Sequence, residues 1–238
     1  VRGDFFSQPF YAFLLKALHM LPIFRKKDGG FGDLKNNLKT FSVCSRALAD
    51  GKSIMILAEG CAENEKRLRP IQKGTGRLAL STLMEYPDLD LTVVPVGVNY
   101  SNALRWRSEV MINFGDPIPI NGYLPNYISN PAAAVNQFTT DLETKLRELV
   151  WHVEDEKWDE RVDQLIALQQ GAFSCSKRYL SGNRLPYEKG YQMIEKWNQL
   201  EEGVQQQLAG FIEQYWNQLT RGRIPPQLEY PCKVSTLR

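Results

Sequence analysis

The stretch Ile54-Met-Ile-Leu-Ala-Glu-Gly-Cys61, continued by Ala-Glu-Asn-Glu-Lys-Arg-Leu-Arg-Pro-Ile-Gln-Lys-Gly-Thr-Gly-Arg77, decides how the 238-residue chain is read. Five apolar residues, too few for a buried helix, run straight into a carboxylate and a glycine. This is the pattern of a central strand that ends at a working edge. Ligands of open α/β sheets gather outside the carboxyl ends of strands, which places Glu59 at a candidate site. Gly60 permits a sharp turn or the close approach of a ligand. Lys66, Arg67, Arg69, Lys73 and Arg77 then set five cations within twelve positions, leading into a helix expected from about Pro70 to Tyr86. Such a cluster suits an anion, a phosphate above all. The plainer reading of the same residues is a solvated loop before an amphipathic helix.

Working outward, Pro9 opens a helix whose residues through Met20 are apolar except for Lys16 and His19. That composition predicts burial with one membrane-facing edge. Leu21–Phe24 reads as a short strand stopped by Arg25-Lys-Lys-Asp-Gly-Gly30. Asp33 caps a helix with Leu34, Leu38, Phe41, Cys44 or Ser45, and Leu48 on its apolar face, ended by Gly51. Beyond the central stretch, Asp88–Tyr100 and Ser108–Phe114 are strands, the first interrupted by Pro95, which cannot donate to a ladder. Asn130-Pro131 caps a long helix with Val135, Phe138, Leu142, Leu146, Leu149 and Val150 on one face. The order is that of an α/β fold, a mixed sheet flanked by helices. From residue 153 onward strands vanish and amphipathic helices replace them, the clearest carrying Val204, Leu208, Phe211, Ile212, Tyr215 and Leu219. Two regions are therefore expected: an α/β domain over 1–152 and an all-α extension over 153–238.

Charge narrows the partners. The net charge of +2 excludes a strongly basic nucleic-acid binder. Residues 1–110 carry 16 Lys/Arg against 11 Asp/Glu, so the first half is the side for anions or an anionic membrane surface. Cys44, Cys61, Cys175 and Cys232 are scattered without a Cys-x-x-Cys pair, which argues against a disulfide framework or zinc site and for a reducing compartment. No metal ligand cluster and no cofactor motif is expected; Lys73-Gly-Thr-Gly-Arg77 lacks the spacing of a phosphate loop. The two histidines, His19 and His152, have no aspartate five positions on. His19 reads as a packed or interfacial histidine and His152 as a helix-end residue favoured by the dipole. The residues by themselves describe an anion-binding α/β protein.

Three segments then carry a resemblance. Leu21-Pro-Ile-Phe-Arg25, Leu57-Ala-Glu-Gly60 with Arg67-Leu-Arg-Pro-Ile-Gln-Lys-Gly74, and Val94-Pro-Val-Gly97 occur in that order. They resemble the second, third and fourth motif blocks of the glycerol-3-phosphate and 1-acylglycerol-3-phosphate acyltransferase family. Arg107–Ile118 resembles the strand that follows in that family, and the likeness covers about the first 150 residues. It implies a glycerolipid-acyltransferase fold that transfers an acyl group from acyl-CoA or acyl-carrier protein to a hydroxyl of a glycerol phosphate acceptor. It implies that Arg25 contacts the phosphate or headgroup and that Glu59 and Gly60 lie at the glycerol backbone. Arg67, Arg69 and Lys73 add positive charge near the phosphate, and Pro95 lies near the acyl-donor pocket.

Two departures from the family pattern matter. The third block, usually Phe-Pro-Glu-Gly-Thr, here reads Leu57-Ala-Glu-Gly-Cys61, without the proline and the threonine hydroxyl. The first block, His-x-x-x-x-Asp, whose histidine is the family's general base, is absent from these 238 residues. The chain is therefore expected to be an N-terminally truncated piece, inactive by itself, of an enzyme at the cytoplasmic face of the membrane. The alternative is a non-catalytic phosphate- or lipid-headgroup-binding module whose helical half recruits a partner.

Overall fold

The computed structural model describes residues 3–23, 31–60, 65–100, 110–176 and 187–223. They form two compact units that interleave along the chain. Val1–Gly60, Ile71–Val93 and Pro117–Asp141 make the first; Cys61–Pro70, Val94–Asp116 and Leu142–Arg238 make the second.

The first unit is mainly helical. Helix α1 (Pro9–Ala17) follows a 3-10 turn at Gly3–Ser7, and none of its residues is buried. The expected burial of this helix is not what the structure shows: Phe10 and Phe13 are 71% and 75% exposed. Helix α2 (Phe31–Ala49) ends before Gly51 as its sequence predicts. Among the residues of α2 whose side chains are described, Thr40, Cys44 and Ser45 are buried, whereas Leu38, read as a core residue, is exposed. The reason lies in hydrogen bonding. Thr40 donates to the Pro22 carbonyl at 2.9 Å, and the Ser45 hydroxyl lies 2.8 Å from that of Thr82, so satisfied hydroxyls occupy the inner face.

Helix α3 (Gly74–Glu85) starts four residues later than Pro70 and buries Leu78, Leu80 and Leu83. Each contributes about 1.5–3 kcal/mol relative to exposure. A short antiparallel ladder pairs β1 (Thr92–Val93) with Ile118–Pro119, the fourth strand in chain order. Helix α4 (Leu124–Ser129) leads to α5 (Pro131–Arg147), whose start is capped by the Asn130 side chain accepting from the Ala133 N–H at 3.1 Å. Phe138, fully buried on α5, meets the Tyr123 ring edge-on at 5.4 Å. A Cβ on Gly76 would lie 2.9 Å from the Phe138 ring, so this glycine lets α3 approach α5.

In the second unit, β2 (Val96–Tyr100) and β3 (Val110–Phe114) form an antiparallel pair. One face lies on the segment after α5: the Asn99 and Asn113 amides both donate to the Leu149 carbonyl, at 2.9 and 3.0 Å. The other face presents Val96, Val98, Tyr100, Val110, Ile112 and Phe114 outward. The alternation of Val110, Ile112 and Phe114 on one face is as expected, but that face is exposed. After a 3-10 turn at Glu156–Trp158 come α6 (Asp159–Ser176), α7 (Tyr187–Gln199) and α8 (Glu202–Gly222). Their core holds Trp151, Val162, Ile166, Ile194, Trp197 and Ile212, with the Trp158 and Trp197 rings packed edge-on at 5.7 Å. On α8 the buried residues are Ala209, Ile212 and Leu219, while Val204, Leu208, Phe211 and Tyr215 stay exposed.

The described residues of the C-terminal region are thus helical, whereas the described residues form no mixed sheet. Among the described residues there are two separate two-stranded antiparallel ladders. Residues 52–57 form no regular element and have no ladder partner among the described residues, leaving Met55 and Leu57 90% and 79% exposed. A run of apolar residues becomes a strand only when neighbours supply both rows of hydrogen bonds, and no described segment does so here. Of Leu21–Phe24, Ile23 makes an isolated bridge, and Phe24 lies outside the described residues.

Candidate functional site

In the first unit the Glu59-Gly60 turn is built by its backbone. Gly60 has φ +70°, which a side-chain-bearing residue adopts only with strain. Its N–H donates to the Leu57 carbonyl at 3.2 Å. The loop that follows returns to its starting point, the Gln72 N–H donating to the Ala58 carbonyl at 2.7 Å. A Cβ on Gly60 would meet the Gln72 side chain at 3.2 Å, so the turn and the residue before Lys73 are in contact. Glu59, half-buried, and Gly60 thus lie in a turn that touches Gln72, the residue before Lys73.

Lys73 precedes α3 without a side-chain cap, and the first turn of the helix holds no acid. Cations at this end and Glu85 at the other oppose the helix dipole, a cost of about 0.3–1 kcal/mol per charge at the surface. The row Lys73, Arg77, Ser81 and Glu85 is one face of α3, spaced at i, i+4, and it lines a groove of about 620 Å³. Leu38 and Phe41 of α2 and Val135 of α5 supply its apolar wall. Among the described residues neither Lys73 nor Arg77 makes a side-chain ion pair. A groove with two cations at one end and an apolar wall can hold a molecule with an anionic head and an apolar body.

The other expected residues lie elsewhere. Arg25 is outside the described residues. Arg67 and Arg69 belong to the second unit, where carboxylates hold them. Arg69 pairs in bidentate fashion with Glu65, at 2.5 and 3.3 Å, and Arg67 donates to Glu156 at 3.2 Å. An anion arriving there competes with Glu65 for the same guanidinium. Pro95, fully buried, sits between β1 and β2, and its carbonyl accepts from the Gly115 N–H at 2.9 Å. This is the strand break its missing N–H predicts.

The histidines separate. His19 lies exposed just after α1 with φ +54°. His152 is buried, its Nδ1 accepting from the Leu68 N–H at 3.0 Å. Burial, and then Arg147, hold its imidazole below the ordinary value, with Glu154 pulling the other way. Sequence reasoning placed His152 at a helix end and missed this bond, which spans 84 positions. It also missed the groove's second wall on α5. The described residues hold no group of three or more His, Cys, Asp or Glu suited to a metal. No described helix is long and apolar enough to cross a membrane.

A family model described as Acyltransferase matches residues 1–99, which contain the Glu59-Gly60 turn, Lys73 and Pro95. This part of the chain is similar to acyltransferase-family sequence. Glycerol-3-phosphate O-acyltransferase 1 of Saccharomyces cerevisiae is 34% identical over 84 residues, 35% of this chain and 11% of that protein. Glycerol-3-phosphate O-acyltransferase 2 of the same yeast is 26% identical over 141 residues, 59% of this chain and 19% of that protein. An uncharacterized acyltransferase of Schizosaccharomyces pombe is 35% identical over 75 residues, 32% of this chain and 11% of that protein. The matched segments thus span between a tenth and a fifth of the relatives' length. No solved structure matches the chain.

Proposed function

We propose that the chain is the acceptor-binding part of a glycerolipid acyltransferase. The enzyme moves an acyl group from acyl-CoA or acyl-carrier protein to a hydroxyl of glycerol-3-phosphate or 1-acylglycerol-3-phosphate. The observation that carries this reading is the Glu59-Gly60 turn closed onto Gln72, the residue before Lys73, within the segment matched by the acyltransferase family model, whose Lys73 and Arg77 line a groove. In this reading the acceptor phosphate lies against Lys73 and Arg77. Glu59 accepts from a glycerol hydroxyl, Gly60 keeps the turn open, and the apolar wall takes the lipid or acyl portion. The acceptor hydroxyl attacks the thioester carbonyl; the thiolate leaves, and the hydroxyl proton passes to a histidine base. Neither His19 nor His152 lies in a His-x-x-x-x-Asp block, so we assign that base to residues outside these 238.

The test is steady-state kinetics of the intact enzyme carrying Lys73→Ala or Arg77→Ala, each substrate varied in turn. Charge-assisted hydrogen bonds to phosphate are worth roughly 1.5–3 kcal/mol, so the acceptor KM rises about ten- to a hundredfold while the donor KM holds. Unchanged acceptor kinetics in both variants would remove the assignment. Turnover by the 238-residue chain alone would show that the base is not external. Acceptor binding without turnover in the intact protein would instead support the headgroup-binding module.

A further inference from the structure

We propose that His152 is a positioning residue: its Nδ1 latches the loop Lys66–Arg69 to the segment Trp151–Asp163, and protonation of that nitrogen releases the loop. Every group involved belongs to the second unit. The segment grips the loop through its backbone. The Val153 N–H donates to the Lys66 carbonyl at 2.7 Å, and the Lys66 N–H lies 3.1 and 3.2 Å from the two Asp159 carboxylate oxygens. The Lys66 ammonium pairs with Asp163 and stands 5.9 Å from the centre of the Trp151 ring. Between these contacts and the Arg67–Glu156 pair sits the bond from the Leu68 N–H to His152 Nδ1, at 3.0 Å.

That bond fixes the tautomer. Nδ1 must offer a lone pair, so the proton of the neutral ring is on Nε2. The nearest acid to Nε2 is Glu154, at 3.6 Å, whose side chain is 61% exposed. Arg147 Nη1 lies 3.2 Å from the same nitrogen and is a donor only, so in this tautomer it makes no hydrogen bond to the Nε2–H and adds positive field. An imidazolium would turn Nδ1 into a donor facing the Leu68 donor. It would also set its charge beside Arg147 and Arg67, against Glu154 alone. The remaining titratable partners of the loop, Glu65, Glu156, Asp159 and Asp163, are carboxylates. His152 is therefore the group that reads the neutral-to-mildly-acid range.

The sign follows from linkage. With the folded imidazole held below its ordinary value of 6.5, the closed loop is fully favoured above that pH. It is progressively lost as pH falls from 6.5 toward the lowered folded value. Because Leu68 stands between Arg67 and Arg69, opening moves both guanidiniums. Opening thereby also loosens the pair that Arg67 makes with Glu156.

Hydrogen exchange of the Leu68 amide in the full chain tests the latch without any assay of turnover. The wild type should lose protection below pH 6.5, by up to about tenfold per pH unit for one proton. His152→Asn keeps an acceptor near the Nδ1 position and cannot be protonated in this range, so its protection, corrected for intrinsic exchange, should not depend on pH. His152→Ala should leave Leu68 unprotected from pH 5 to 8, with the Leu80 amide of the first unit unchanged as a folding control. Equal pH dependence in the wild type and His152→Asn would overturn the proposal, as would full Leu68 protection in His152→Ala. The wild-type titration stands even if one variant fails to fold.

Discussion

At the scale of single residues, close approach explains a glycine that the motif Val94-Pro-Val-Gly97 merely names. A Cβ on Gly97 would lie 2.3 Å from the Leu149 carbonyl oxygen and 2.7 Å from its carbon. That carbonyl also accepts from Asn99 and Asn113, so it cannot retreat without loosening two hydrogen bonds. Gly97→Ala should therefore lower stability by about 1–3 kcal/mol, the usual cost of overpacking. Gly210→Ala, inside α8 with nothing within 4 Å of the new methyl, should raise it by up to about 1 kcal/mol. Urea denaturation of both variants checks the pair, and equal midpoints would contradict the packing described. Residue by residue, the sequence was a fair guide where function and local structure coincide. The start of α3 just after Lys73 was legible within four residues, because Pro70 and the glycines near it mark a helix boundary. The pairing of Arg67 with Glu156 was not, because its partner lies 89 positions away.

Elements differ in how far their own residues determine them. Helix α5 was readable from its start: Asn130-Pro131 opens it, and Val135, Phe138, Leu142 and Leu146 make its buried row, although it ends at Arg147, before the expected Leu149 and Val150. All the information for such a helix lies within a few turns. The Ile54–Ala58 stretch was misread because a strand is a property of its neighbours, and apolar composition cannot say whether they are present. The same shortfall left α1 exposed where burial was expected. Its Phe10, Phe13, Leu14 and Leu18 side chains support the proposed membrane-surface location. Phe10→Ser with Phe13→Ser should weaken co-sedimentation with anionic phospholipid vesicles on the order of tenfold or more, since each ring contributes about 1.5–3 kcal/mol when fully buried. Undiminished co-sedimentation would leave that location without support from α1.

For the whole molecule, composition pointed to a boundary at residues 152 and 153, whereas the compact units interleave. Composition records where strands give way to helices; it does not record which distant segments fold together. Asp159, Asp163 and Glu156 hold the Lys66–Arg69 loop, and Val153 is part of the Trp151 core. A chain ending at His152 should accordingly be cut by trypsin after Arg67 at least tenfold faster than the full chain, because this local opening loses several buried contacts. Equal resistance in the two proteins would show that residues 1–152 stand as a unit.

The loop's dependence on later residues has a consequence during synthesis. Lys66 and Asp159 are 93 positions apart. At roughly 5–20 residues per second, the ribosome releases the loop about 5–20 s before the carboxylates that will hold it. During that interval the nascent chain carries its basic motif with Leu68 unbonded, Lys66 without its carboxylates and only the neighbouring Glu65 against Arg67 and Arg69, within reach of any polyanion nearby, ribosomal RNA included. Completion of the helical half is then the event that turns a sticky cationic segment into an ordered one.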